Sequence, residues 1–340
     1  MQNLLKKLLL TTSLNMGYFV SSEILGEIIF DVRFGILFPL AFIGMITNTL
    51  TLLVFYKQGF QEGTTITMTS IALWNWLKCV CGLMAKMYFI ISFVDQAFGV
   101  TWDNITFPYI EYTTIYAGYV TFSLAAFLSV ERFLCVWKPF TAKSLLTPTT
   151  IFLSVVIISI GTFGAYVVVY FAYTIKFEYS QTFNTTVAIY VFSDFYYQKS
   201  AVFMVYYQVQ AILIPAISFI LMSLFSLATV YCLKKNSQYL HKQPSLKTNA
   251  PSREKQVSKA LLVVVLVYIM NLFPRFVFYI AQLAEPEFYM LRKYNDEFTT
   301  AAVFIFIIDL INACSHLFIF AAFSSTFREH VMSLFLLKTF

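Results

Sequence analysis

Glu131-Arg132-Phe133-Leu134-Cys135-Val136-Trp137-Lys138-Pro139-Phe140 closes a long apolar stretch, and its reading governs the rest of the chain. An ionised pair ending a membrane-length segment is costly unless it lies at the water interface or has a function. The point is therefore both a boundary and a functional candidate. Around it, 340 residues are 59% hydrophobic and 12% charged, with mean hydropathy +0.74. A soluble domain carries about 25% charged residues, so polar surface here is too scarce to coat a globule and one helical membrane domain is expected.

About 20 apolar residues span a hydrocarbon core. Seven such runs are marked at 34–56, 65–91, 108–136, 150–172, 201–233, 258–283 and 298–323. An odd number puts the two ends of the chain on opposite sides. Segments after the first, third, fifth and seventh runs hold Lys57, Lys138, Lys143, Lys234, Lys235, Lys247, Arg253 and Arg328 against few acids, which makes that side cytoplasmic. The other side carries Asp95, Asp103, Glu178, Asp194, Glu285, Glu287, Asp296 and Glu297, with sequons at Asn104 and Asn184. The amino terminus is thus expected outside, as a tail over 1–33. Within it, 4–14 with Lys6 and Lys7 resembles a weak signal sequence but reads better as an interfacial tail. The net charge of +6 reads as topology and attraction to anionic membrane lipid, not as nucleic-acid binding.

Cys79, Cys81, Cys135, Cys232 and Cys314 all fall in spans or at their cytoplasmic ends, so no extracellular disulfide is expected. Cys79 and Cys81 point to different helix faces, which disfavours a metal pair, and neither metal nor cofactor is called for. Residues 236–253, with Pro244 and Pro251, read as a flexible cytoplasmic segment.

With seven spans, an outside amino terminus and Glu131-Arg132-Phe133 at the cytoplasmic end of span three, the chain resembles a rhodopsin-like (class A) G-protein-coupled receptor over nearly its whole length. Asn48 matches that family's asparagine in span one, Pro215 and Pro274 its prolines in spans five and six. Ser324-Ser325-Thr326-Phe327-Arg328 looks like the start of its short amphipathic helix. Tyr56-Lys57-Gln58-Gly59-Phe60, Leu146-Thr147-Pro148 and Ser252-Arg253-Glu254-Lys255 are similar to a chemosensory and peptide-receptor-like group of gastropod molluscs. The resemblance implies an all-α seven-transmembrane bundle over 34–323, with a cytoplasmic amphipathic helix and carboxyl terminus over 324–340. It also implies a plasma-membrane location, a heterotrimeric G protein as partner, and an extracellular small-molecule or peptide ligand.

Arg132 is always charged and needs a partner, which Glu131 or Glu254 at the mouth of span six can supply. In the family the matching arginine is held by acids in the inactive receptor and freed when span six swings outward. The alternative is an arginine that snorkels to lipid phosphate. Pro215 and Pro274 each remove a backbone donor and give spans five and six joints, or else static kinks.

The departures are informative. Asn75 replaces the family's aspartate in span two, and His316-Leu317-Phe318-Ile319-Phe320 replaces its Asn-Pro-x-x-Tyr, so no sodium site is carried over and Asn48, Asn75, Asp309 and His316 read as a polar core. Leu272 and Ser223 replace a tryptophan and a tyrosine of the activation relay. Phe107 stands at the cysteine position above span three and 173–199 lacks cysteine, so that loop must be held otherwise; its aromatics suit an apolar lid or a dip into the lipid interface.

Arg275, just after Pro274, reads as the one permanent cation in the outer half of a span. Glu111 or Asp309 could neutralise it as structural glue; if that pairing is loose, it becomes a carboxylate or phosphate anchor, the reading the sequence favours. Tyr112, Tyr116, Tyr119, Tyr206 and Tyr279 line the same half, giving Glu111, Tyr112, Tyr116, Tyr206, Arg275 and Tyr279 as ligand-binding candidates. A chemosensory receptor for small molecules is the first expectation, and a neuropeptide receptor the alternative, since the acidic outer loops suit a basic peptide. A transporter or channel lacks its inverted repeat. An enzyme is not expected, because no nucleophile elbow, zinc-protease helix or aspartate pair is present.

Overall fold

The computed structural model describes residues 32–242, 250–285, 287–288 and 292–335. It is a mostly helical bundle with seven helices long and apolar enough to cross a membrane: Phe34–Gln58, Gly63–Val94, Gln96–Trp137, Pro148–Phe171, Val205–Lys235, Lys259–Ala284 and Asn295–Phe323, spans one to seven. Even the shortest, 24 residues, is about 36 Å long at 1.5 Å per residue, enough for a hydrocarbon core of about 30 Å. The chain is therefore a multi-pass membrane protein. The tail over 1–31, including 4–14, lies outside the described residues.

Local chemistry sets the breaks. Gly59, at φ 79°, closes span one with its N–H on the Phe55 carbonyl at 3.1 Å, a left-handed ending that glycine adopts without strain. Asp95 caps the third helix by accepting the Phe98 N–H at 3.1 Å. That helix begins at Gln96, well before the expected 108, because a π-helical turn at Phe107–Glu111 carries it past Pro108. Span four starts at Pro148 behind Thr147, whose hydroxyl accepts the Thr150 N–H at 3.2 Å.

Span five belongs to a helix running Asp194–Lys242, with non-helical backbone at Lys199, and span six to a helix over Ala250–Ala284. The flexible segment expected at 236–253 is corrected at both ends: helix-forming residues continue to Lys242 before Pro244, and Pro251 fits the first turn of the next helix. Residues 243–249 lie outside the described residues. After span seven a short helix, Ser325–Phe335, begins where the Ser324 hydroxyl accepts the Phe327 N–H at 3.2 Å. Phe327 is buried and packs on Phe55 and Phe320 at ring distances of 5.6 and 5.4 Å, fastening this helix to spans one and seven.

The loop between spans four and five is a β-hairpin. Strands β1 (Tyr173–Ser180) and β2 (Thr185–Phe192) pair antiparallel, from Tyr173 opposite Phe192 to Ser180 opposite Thr185. Asn184 makes the turn at φ 51°, a conformation that asparagine tolerates. The hairpin seats on the helix Gln96–Thr106, where the Ala188 N–H donates to Thr101 Oγ1 at 3.2 Å. Phe107, at the position expected to need a substitute for cysteine, stacks on Tyr190 at 4.7 Å and meets Tyr112 and Tyr173 edge-on at 5.7 and 6.4 Å.

Two packing features fix the bundle. Gly44 lies so close to span two that a Cβ there would strike Cys79 Sγ, and Cys314 Sγ is beside the same point, so spans one, two and seven meet at a glycine. All five cysteines are free. On the other side, Tyr166 lies between Tyr116 and Tyr119, ring centroids 4.5 and 4.8 Å away and nearly parallel, while its hydroxyl donates to the Gln210 carbonyl at 3.0 Å.

Candidate functional site

At one end of span three, Glu131 is 1% exposed and accepts the Thr67 hydroxyl at 2.7 Å, tying span three to span two; its other oxygen has no hydrogen-bond partner among the described residues. Arg132 is half-buried, and among the described residues no carboxylate lies within ion-pair distance of it. Its Nε is buried without a hydrogen bond. Glu254 lies on the span-six helix, but its side chain is outside the described residues.

Deeper in the bundle, Asn48 Nδ2 donates to the carbonyls of Gly44 and Ala313 at 2.8 and 3.0 Å, joining spans one and seven. Asn75 Nδ2 lies 3.3 Å from His316 Nδ1 and 3.4 Å from the Tyr268 hydroxyl, so spans two, six and seven meet there. Asn271 and Asn312, which the sequence reading passed over, are 2% and 1% exposed, and among the described residues their amides make no side-chain hydrogen bond. Amides in the middle of apolar spans were the available signal. Pro215 and Pro274 lie inside their helices, where each removes the donor that would have bonded the carbonyl four residues back.

Toward the hairpin end the charges cluster. Arg275, 5% exposed, is ion-paired with Asp309 and lies over the rings of Tyr119 and Phe122 at 5.2 and 5.5 Å. Beside it the hydroxyls of Tyr119 and Tyr279 share a hydrogen bond. The expectation of an open anchor is corrected: an acid from span seven meets the guanidinium and two rings flank it, which is the structural alternative. Glu111 is elsewhere. It ends the π-helical turn facing span two, with Oε1 2.7 Å from Lys86 Nζ.

Nor is Arg275 the lone cation of this half. Lys78, 2% exposed, donates to the Asp309 main-chain carbonyl at 3.2 Å, and Lys86 is 7% exposed. Two lysines eight residues apart inside the apolar run 65–91 were legible and were missed. A cavity of about 30 Å³ between spans one, two, three and seven is lined by Lys78, Lys86, Glu111, Thr114 and Asp309, with Leu37, Phe306 and Leu310.

The tyrosines divide. Tyr116 is buried in the stack with Tyr166; Tyr112 shares a 3.0 Å hydrogen bond with Tyr173 of β1; Tyr279 is bonded to Tyr119. Tyr206 is 38% exposed and donates to the Ala165 carbonyl at 2.7 Å, so it stitches span five to span four and does not join the group around Arg275. Asn184 is exposed at the hairpin turn, whereas Asn104 is half-buried in a helix with its amide on the Val100 carbonyl at 2.9 Å. Among the described residues no group of three or more His, Cys, Asp or Glu is placed to hold a metal ion.

The arrangement is that of a helical bundle with a charged, partly hollow interior toward one end and Arg132 at the other. No curated protein matches the chain. The family model described as serpentine type 7TM GPCR chemoreceptor Srw matches residues 36–338, spanning all seven helices, and the chain belongs to that family of G-protein-coupled chemoreceptors.

Proposed function

We propose that this receptor lies in the plasma membrane with its amino terminus and hairpin outside, and passes the binding of a small chemosensory ligand to a heterotrimeric G protein by an outward swing of span six. Within receptors of the seven-helix kind we read it as rhodopsin-like, and by its short phrases around Gly59, Pro148 and Glu254 as close to the gastropod chemosensory group.

One observation carries the coupling role. Glu131 is engaged by Thr67, while Arg132 beside it has no carboxylate partner among the described residues. A half-buried guanidinium without a fixed partner is a switchable contact: Glu254 on span six supplies the counter-charge in the closed state, and the G protein supplies hydrogen-bond acceptors in the open one. Pro274 gives span six its joint and Pro215 does the same for span five. The chemosensory reading is favoured over a peptide receptor because two of the acids at the hairpin end, Glu285 and Asp296, are engaged locally. Glu285 accepts the Glu287 N–H at 3.1 Å, and Asp296 accepts from Asn295 at 3.1 Å.

The test is Arg132→Ala in cells that report G-protein activation. Loss of most of the signal at undiminished surface level is expected; wild-type signalling by a well-expressed variant removes the coupling role.

A further inference from the structure

Lys78 has no part in the coupling end, the hinges or the ion pairs, yet it is 98% buried in the middle of span two. Its ammonium meets a main-chain carbonyl at 3.2 Å, and among the described residues no carboxylate comes within ion-pair distance of it. The surrounding cluster holds three basic side chains, Lys78, Lys86 and Arg275, and two acids, Glu111 and Asp309, which are taken by Lys86 and Arg275. With Lys78 protonated, one positive charge is left over. An uncompensated charge in a low-dielectric interior is expensive, and part of that cost is offset when a monoanion enters beside it.

The space for that anion exists. The cavity of about 30 Å³ touches Lys78, and a water needs about 10–15 Å³ by this measure, so it admits about two waters or a carboxylate head group. Leu37, Phe306 and Leu310 give it an apolar wall for a short alkyl tail. Lys86 stands eight residues along the helix, about 12 Å from Lys78 toward the hairpin end, and Glu111 of span three faces it; their side chains are 9% and 18% exposed. A dianion such as doubly ionised phosphate carries one charge more than the cluster leaves over.

We propose that this cavity binds the carboxylate of a small monocarboxylic acid, with Lys78 as its charge partner and the Lys86–Glu111 pair as the gate through which it enters. The proposal rests on the reading of the chain as a ligand-operated receptor and names the ligand class for it. It also moves the anion site from Arg275, which Asp309 occupies, to a cation that no acid among the described residues pairs with.

The experiment measures thermal unfolding of the full-length receptor in lipid nanodiscs. Sodium acetate, propionate and butyrate are compared with sodium chloride at equal ionic strength and with propionamide. At least one carboxylate should raise the unfolding temperature saturably at millimolar concentration, with no such rise from chloride or the amide. Lys78→Gln, which keeps a donor for the Asp309 carbonyl, should weaken the effect at least tenfold. Should that variant fail to fold, Lys78→Arg keeps the charge but fills the cavity, and it must lose the carboxylate effect. No shift with any of the three acids, an equal shift with chloride or propionamide, or an undiminished shift in the Lys78 variant overturns the site. Because binding is read without a G protein, carboxylate binding with no cellular signal counts against the coupling reading alone, and signalling by a receptor that binds none of these acids counts against this site alone.

Discussion

Phe107 and Tyr190 stack with ring centroids 4.7 Å apart and planes 23° from parallel, and this contact, with the Ala188–Thr101 hydrogen bond, seats the hairpin on span three. The attachment is one of rings and a main-chain to hydroxyl hydrogen bond, since every cysteine is free and none lies in the hairpin.

Phe107→Ala should therefore cost about 0.5–1.5 kcal/mol beyond the apolar area it removes, the usual worth of an aromatic pair. Amide exchange by mass spectrometry should show β1 and β2 opening faster, while a reducing agent leaves wild-type exchange unchanged. Faster exchange under reductant would mean that a disulfide had formed.

Breaking the Arg275–Asp309 pair on one side should be severe. Arg275→Ala or Asp309→Ala leaves a buried charge without its partner, a loss of about 3–5 kcal/mol, and little receptor should reach the surface. The double variant Arg275→Met with Asp309→Leu should recover much of the surface level, since two apolar side chains strand no charge. Normal surface level in both single variants would show the pair to be dispensable.

Thr67→Val removes the donor to a carboxylate that is already short of one partner. A hydrogen bond to a charged group contributes about 1.5–3 kcal/mol, so a lowered unfolding temperature is expected in nanodiscs. Under the proposed coupling mechanism, basal signalling should also rise as span three loosens from span two. An unfolding temperature equal to that of wild type would remove this contact from the account.

Glycan attachment should be unequal. Asn184 sits exposed at a turn, while Asn104 is half-buried in a helix with its amide already bonded, so a single glycan on Asn184 is expected. Endoglycosidase digestion should lower the apparent mass by one step, and Asn184→Gln should abolish that step. A glycan on neither site, in cells able to add one, would argue against the proposed orientation.

The seven spans were legible because membrane thickness imposes a length on apolar runs, and the positions of all five cysteines inside or beside those runs were legible for the same reason. The hairpin was not, although Tyr173-Thr174-Ile175-Lys176-Phe177 carries the β-branched and aromatic residues of a strand. Its aromatic density suits an apolar surface as well as a strand, so composition alone does not single out the period. Two acids were in reach of Arg275 on paper, and the choice between them depended on how spans three and seven are rotated, which hydrophobicity alone does not fix. Lys78 and Lys86 were overlooked because the run around them stays apolar on average, and an average hides single charges.

The Tyr116–Tyr166–Tyr119 stack has a mechanical corollary. With the Tyr166 and Tyr206 hydroxyls bonded to main-chain carbonyls across spans four and five, and Thr113 bonded to Tyr170 at 2.7 Å, spans three, four and five are clamped to one another at several heights. They form a stator. Under the proposed mechanism span six moves against that block, which it meets through the edges of Tyr268 on Phe122 and Phe276 on Phe219, the paired hydroxyls of Tyr119 and Tyr279, and Arg275 over the rings of Tyr119 and Phe122.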